Sequence, residues 1–243
     1  MYFEYGKEEI EYLKSRDKLL GAAIDRVGHI YRAVDSDLFS SVVHHIIGQQ
    51  ISTSAQETIW RRLKERLGSV NAAAICSLEP EELQKFGMTY KKAGYIKDFA
   101  EKVRDKEFDI DRLCCLPDNE VIKELSALKG IGVWTAEMIM IFSMQRPDIV
   151  SFGDLAIHRG IRMLYHHRKV DKKKFDKYVK RYSPYGTVAS LYLWAVAGGA
   201  IPGMHDYAPA KNKGSGKEMK KEDRKRKDRK QKETKQEDID RKI

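Results

Sequence analysis

The stretch LKGIGVWTAEMIM, residues 128–140, sets Gly130 and Gly132 one residue apart, just before an apolar run that opens on a tryptophan. Two glycines so spaced let a chain reverse tightly between helices and bring backbone N–H groups close to a surface. At the start of a helix expected from Val133, outward-pointing N–H groups favour an anion such as a phosphate. Leu128 and Ile131 are expected to bury the apolar side of the hairpin. Plain helix-to-helix turns use the same Gly-x-Gly spacing, so this stretch alone leaves both readings open.

Working outward, the rest of the body reads as helices separated by short breaks. In LFSSVVHHII, Leu38, Phe39, Val42, Val43, Ile46 and Ile47 form one buried helix face, with Asp37 or Ser36 able to cap it. After the break GQQIST, Ser54 with Glu57 makes a capping-box pattern for a helix running to Gly68. Pro80 suits a first turn and Gly87 a helix end, Thr89 can cap the next helix, and Pro117 opens another. The helix from Val133 is expected to run to about Gln145, stopped by Arg146-Pro147. Later helices are expected to begin near Asp154, Asp171 and Ser183-Pro184. No segment alternates apolar and polar residues for long enough to argue for a sheet, so the predicted fold is all-α, built of many short helices.

Composition bounds the function classes. The chain has 243 residues, 42% of them apolar, which is enough to fill a globular core. No run of eighteen apolar residues and no cationic-apolar leader is present, so a soluble, intracellular (cytoplasmic) protein without membrane partners is expected. Three cysteines, Cys76, Cys114 and Cys115, are too few for a four-cysteine iron–sulfur cluster. The net charge of +10 is concentrated at one end: residues 211–243 carry fifteen Lys/Arg against eight Asp/Glu, leaving only +3 for the first 210. That last stretch has almost no apolar residues and is expected to be disordered or a fraying helix. It is either a solvated tail or a basic arm that adds salt-sensitive DNA affinity.

Asp154, in IVSFGDLAIHRG, precedes Leu155, Ile157 and Ile161 as a helix N-cap would. A capping carboxylate is oriented by its cap bonds and keeps an outer oxygen for other work, so a structural and a chemical role can coexist. His44 and His45, beside the apolar helix face, read as structural or solvent-facing, without a metal-ligand spacing.

The order IIGQQIS, LKGIGVWTAEM, GDLAIHR and YSPYGTVASLYLW resembles the helix-hairpin-helix DNA glycosylases, and within them the 3-methyladenine DNA glycosylase II group. The resemblance spans roughly residues 38–199. It implies two helical subdomains with a cleft between them, one from residues 1–30 plus 137–210 and one from 31–136. It places Asp154 on the catalytic aspartate, and Lys129, Gly130, Ile131 and Gly132 on the DNA-backbone hairpin. The carbonyls of Ser126, Leu128 and Ile131 fall where the family holds a monovalent cation, Na or K, with no cofactor needed for catalysis. Trp134, Met138 and Trp194 fall on the base pocket, and Gln49 and Gln50 on the residue inserted where a nucleotide is extruded. Lys129 departs from the proline usual in the hairpin. It adds a phosphate contact or loosens the turn.

Trp134 stands where strand-cutting members carry a nucleophilic lysine, so a monofunctional enzyme is implied. The expected partner of this monomer is damaged double-stranded DNA, and the expected reaction is release of alkylated purines such as 3-methyladenine and 7-methylguanine. A base inside a duplex cannot reach a carboxylate, so it must be flipped out. A cationic base gains about 0.5–2 kcal/mol per aromatic face. The stretch before Leu38 is too short for the N-terminal sheet domain of larger members. The rival readings are a same-fold glycosylase for deaminated or oxidised bases and a non-enzymatic helix-hairpin-helix module. The second needs the hairpin but not Asp154, Trp134 and Trp194 together.

Overall fold

The structure, a computed structural model, describes residues 1–209; the basic stretch 211–243 lies outside the described residues. Among the described residues the chain is all-α, as expected, with twelve α-helices and no sheet. They are α1 (Lys7–Arg16), α2 (Lys18–Val27), α3 (Leu38–Gly48), α4 (Thr53–Leu67), α5 (Ala72–Cys76), α6 (Pro80–Gln84), α7 (Tyr90–Arg104), α8 (Asp118–Ser126), α9 (Val133–Phe142), α10 (Leu155–Tyr165), α11 (Lys172–Tyr182) and α12 (Gly186–Ala197). A single antiparallel bridge joins Tyr2 to Ala33. No described helix is long and apolar enough to cross a membrane.

Local sequence explains most helix starts. Asp37, Thr89, Asp154 and Asp171 each accept a backbone N–H from the first turn of the helix that follows. The start of α4 is a correction. Ser52, not Ser54, is the cap, its Oγ accepting from Ala55 N, and Ser54 lies inside the first turn. α9 also stops at Phe142, short of Gln145. Gln145 takes a left-handed φ of 51°, so the chain has already left the helix before Pro147 can end it.

The side chains gather into two cores. One runs from Phe39 to Ile149 and is built from α3 to α9; the other joins Phe3, Leu13, Leu20 and Ile24 to the apolar faces of α10, α11 and α12. The first core extends past 136, because Ala136, Met138, Ile139, Met140 and Ile141 all pack into it. α9 is apolar on nearly every side, and a helix of that kind has to be enclosed. α12 is its counterpart in the second core, buried from Gly186 through Leu193. Trp194 packs against both cores, which puts it on the seam between them.

Candidate active site

A cavity of about 790 Å3 opens on this seam, and its wall includes Trp134, Met138, Asp154 and Trp194. The four arrive on three structural devices. Trp134 is the second residue of α9, Met138 lies one turn further on, Trp194 is near the end of α12, and Asp154 is the N-cap of α10.

The hydrogen bonding converges on Asp154, which is 7% exposed. Its Oδ1 accepts the backbone N–H of Ala156 at 2.8 Å and of Ile157 at 2.9 Å, the cap bonds expected from sequence. The indole N–H of Trp194 donates to the same oxygen at 3.2 Å, and that of Trp134 donates to Oδ2 at 2.9 Å. The outer oxygen is therefore not left free, as local sequence suggested. It is held by an indole 20 residues away in the chain. A carboxylate offers about four lone-pair sites, and with three donors on Oδ1 the open capacity lies on Oδ2. Two further groups sit behind it. Ser151 donates its hydroxyl to Glu137, and the carbonyl of Ser151 accepts Asp154 N at 3.3 Å. Burial, against the pull of the Ser151 bond, raises the Glu137 carboxyl above its ordinary range.

The hairpin between α8 and α9 reverses at Gly130, whose φ of +84° lies in the left-handed region. A Cβ there would sit 2.4 Å from the Tyr95 ring. Gly132 is different: it is extended, caps α9 without a side chain, and has open space where a Cβ would go. Leu128 and Ile131 are buried, as anticipated. Lys129 is not an unpaired cation, since its ammonium donates to Asp98 Oδ1 at 2.6 Å. The Ser126 hydroxyl is buried without a partner, and the Leu128 carbonyl accepts Ile131 N at 3.1 Å.

The GQQIS turn divides its two glutamines. Gln49 lies in the cavity wall and donates from Nε2 to the Gly130 carbonyl at 2.7 Å, tying this turn to the hairpin. Gln50 is exposed at the tip, with a left-handed φ of 57°. Lys92, singled out by nothing in the sequence, donates to the carbonyls of Ile47 and Gln49 at 2.8 and 2.5 Å and so closes the end of α3.

His44 and His45 also need correction. They are half-buried and line the cavity together with Ser41, Gly48 and Gln49. The positions 41, 44, 45, 48 and 49 form one helical stripe opposite the apolar one, a pattern that was readable in the sequence. Burial is the main reason both imidazoles titrate low, His44 at about 4. Among the described residues no three His, Cys, Asp or Glu side chains form a metal-binding group.

Similarity to known proteins points the same way. DNA-3-methyladenine glycosylase 1 of Schizosaccharomyces pombe is 29% identical over 165 residues, covering 64% of this chain and 71% of that protein. The crystal structure of a DNA-3-methyladenine glycosidase from Bacillus halodurans superposes with a TM-score of 0.73 at 34% identity, over 82% of this chain and 93% of that one. The Schizosaccharomyces pombe 3-methyladenine DNA glycosylase Mag1, solved in complex with abasic DNA, gives a TM-score of 0.68 at 25% identity, over 78% and 96%. Against three sequence relatives, the chain spans 59%, 71% and 67% of their own lengths. A family model described as HhH-GPD superfamily base excision DNA repair protein matches residues 43–184, from the middle of α3, across the hairpin and Asp154, to the turn before α12. That match takes in more than half of the chain, and on it the protein belongs to the HhH-GPD superfamily of base excision DNA repair proteins.

Proposed function

We propose that this chain is a monofunctional DNA glycosylase that flips alkylated purines out of duplex DNA and releases them by hydrolysis, with Asp154 as the catalytic carboxylate. One observation carries the reading: a buried carboxylate at a cavity wall, fixed by two helix N–H groups and by two indole N–H groups drawn from α9 and α12. A mere N-cap has no need of the last two.

N-alkylation at a purine ring nitrogen leaves the base cationic and its glycosidic bond weakened. As that bond breaks, positive charge grows on the sugar, and a preorganised carboxylate stabilises it without reorienting. The open capacity on Asp154 Oδ2 receives the attacking water and its proton, the division of labour carboxylates also perform on glycosides. The two indoles donate to Asp154 from their edges, which keeps their π faces out of those bonds and available to a cationic base. No amine stands at Trp134 to form a Schiff base with the abasic sugar, so the strand stays uncut.

Gln50 is the better candidate of the two for the residue that fills the gap in the stack, being exposed while Gln49 is committed to the hairpin. The N–H groups of Gly130 and Gly132, with Lys129 at their flank, are the DNA-backbone grip, and the Ile131 N–H holds the turn through the Leu128 carbonyl. The carbonyls of Ser126, Leu128 and Ile131 are neutral oxygen donors with no carboxylate among them, a set that fits Na or K rather than a divalent ion. When bound, such a cation stiffens the hairpin and takes no part in bond breaking.

The test is base release from methylated duplex DNA by wild type and Asp154→Asn, with nicks scored before and after alkali. Wild type is expected to release methylated purines and to show nicks only after alkali, and the variant to lose at least about 10²-fold in rate while still binding DNA. Equal release by the variant removes Asp154 from the mechanism. Nicks without alkali refute the monofunctional reading.

A further inference from the structure

The polar stripe of α3 has a chemistry that the carboxylate does not use. The Nδ1 of His45 lies 2.8 Å from the carbonyl oxygen of Ser41, one helical turn back. A carbonyl can only accept, so Nδ1 carries the proton; an unprotonated Nδ1 would face it lone pair to lone pair. The neutral ring therefore presents an unprotonated Nε2. Among the described residues that nitrogen has no protein partner, and it is not among the buried side-chain atoms sealed from solvent, of which Ser126 Oγ is the unpaired one. His45 lines the cavity shared with Asp154, Trp134 and Trp194.

The same wall carries two charged neighbours, Asp35 and Arg32. Burial holds both imidazoles neutral at physiological pH, with His44 packed 4.8 Å from the Trp60 ring. Asp35 accepts the Ser40 hydroxyl and the Asp37 N–H, and the guanidinium of Arg32 lies over the Phe142 ring at 4.6 Å. The imidazoles themselves add no positive charge to the wall, and Asp35 and Arg32 within it are of opposite sign. An acceptor served only by water loses that contact when a base enters, which costs free energy unless the base brings a donor.

We propose that His45 is a specificity-determining residue of the base pocket, its Nε2 accepting an N–H of the exocyclic amino group of an adenine-type alkylated base. This rests on the glycosylase reading above, and the geometry points to the substrate class within it. A base without that amino group leaves Nε2 unpaired and is bound less well. Sites built around a substrate N–H reject the analogue lacking it far more strongly than apolar pockets reject a missing methylene.

The experiment uses the full chain and two free bases that differ only in the amino group, 3-methyladenine and 3-methylpurine, with binding read from quenching of tryptophan fluorescence. Wild type is expected to prefer 3-methyladenine by about tenfold or more. In His45→Ala the preference collapses toward unity, and release of 3-methyladenine from methylated duplex falls by a similar factor. His45→Gln, whose side-chain oxygen can still accept, recovers part of both. Circular dichroism and denaturation midpoints check that the variants fold. Equal affinity of wild type for the two bases, no measurable binding of either, or a preference that survives His45→Ala overturns the assignment. A wild type that prefers 3-methyladenine but releases no base from DNA leaves His45 as a reader of the amino group and refutes the glycosylase reading instead.

Discussion

Replacing Trp134 by Phe keeps an aromatic ring on α9 and deletes one N–H, the one that holds Asp154 Oδ2. Hydrogen bonds to charged groups contribute about 1.5–3 kcal/mol, so single-turnover base release by Trp134→Phe is expected to fall by roughly tenfold or more. An unchanged rate would return Trp134 to plain packing. Gly130 poses a steric question. Its +84° φ opposes a side chain, and so does the Tyr95 ring, which lies 2.4 Å from the point a Cβ would occupy. Gly130→Ala should lose about 1–3 kcal/mol of stability and weaken DNA binding, read by denaturant unfolding and by DNA titration. Gly132→Ala, with open space at that position, should cost much less. Sequence marked these residues as candidates but could not give their bonds. Asp154 read as a cap with a spare oxygen, and only the fold shows that oxygen held by an indole from another helix.

At the scale of the elements, α10 and α12 approach closely where Gly160 faces the backbone of Leu193, since a Cβ on Gly160 would lie 2.3 Å from that carbonyl oxygen. Backbone cannot swing aside as a flexible side chain does. Gly160→Ala is therefore expected to push α12 away, costing about 1–3 kcal/mol as an overpacked core does. Because α12 carries Trp194 and α10 starts at Asp154, base release should fall more than the stability loss alone accounts for. A variant that is destabilised yet turns over normally when folded would show that this crossing does not set the site. Periodicity located α3 and α10 because each has one wet face and one dry face. It was less informative for α9 and α12, which are buried on most sides and so carry no stripe. The start of α12 is also set from a distance: Asp148 Oδ1 accepts Gly186 N at 3.0 Å, while Pro147 supplies a carbonyl to Thr187 N at 2.9 Å. No window around Gly186 contains that cap.

The whole molecule adds a dependence on pH. His44 titrates at about 4 in the fold against 6.5 for the unperturbed group, chiefly because burial disfavours its cation. Between those values the unfolded chain takes up a proton that the folded chain refuses, so stability falls as pH is lowered through this window and rises as pH is raised. In His44→Gln the denaturation midpoint should vary less between pH 6.5 and 4 than in wild type; identical pH profiles would remove His44 as a contributor. Three kinds of information were local enough for sequence to hold: the helical class, most of the caps, and the ordered motifs that reveal the family. These depend on residues within one or two turns of each other, or on residue identity alone. The convergence of Trp134 and Trp194 on one carboxylate, the pairing of Lys129 with Asp98, the link from Gln49 to Gly130 and the place of His45 in the cavity wall were decided by tertiary structure. Each joins groups 20 or more residues apart, or turns on which side of a helix meets the seam between two cores, and no local preference of the backbone encodes either.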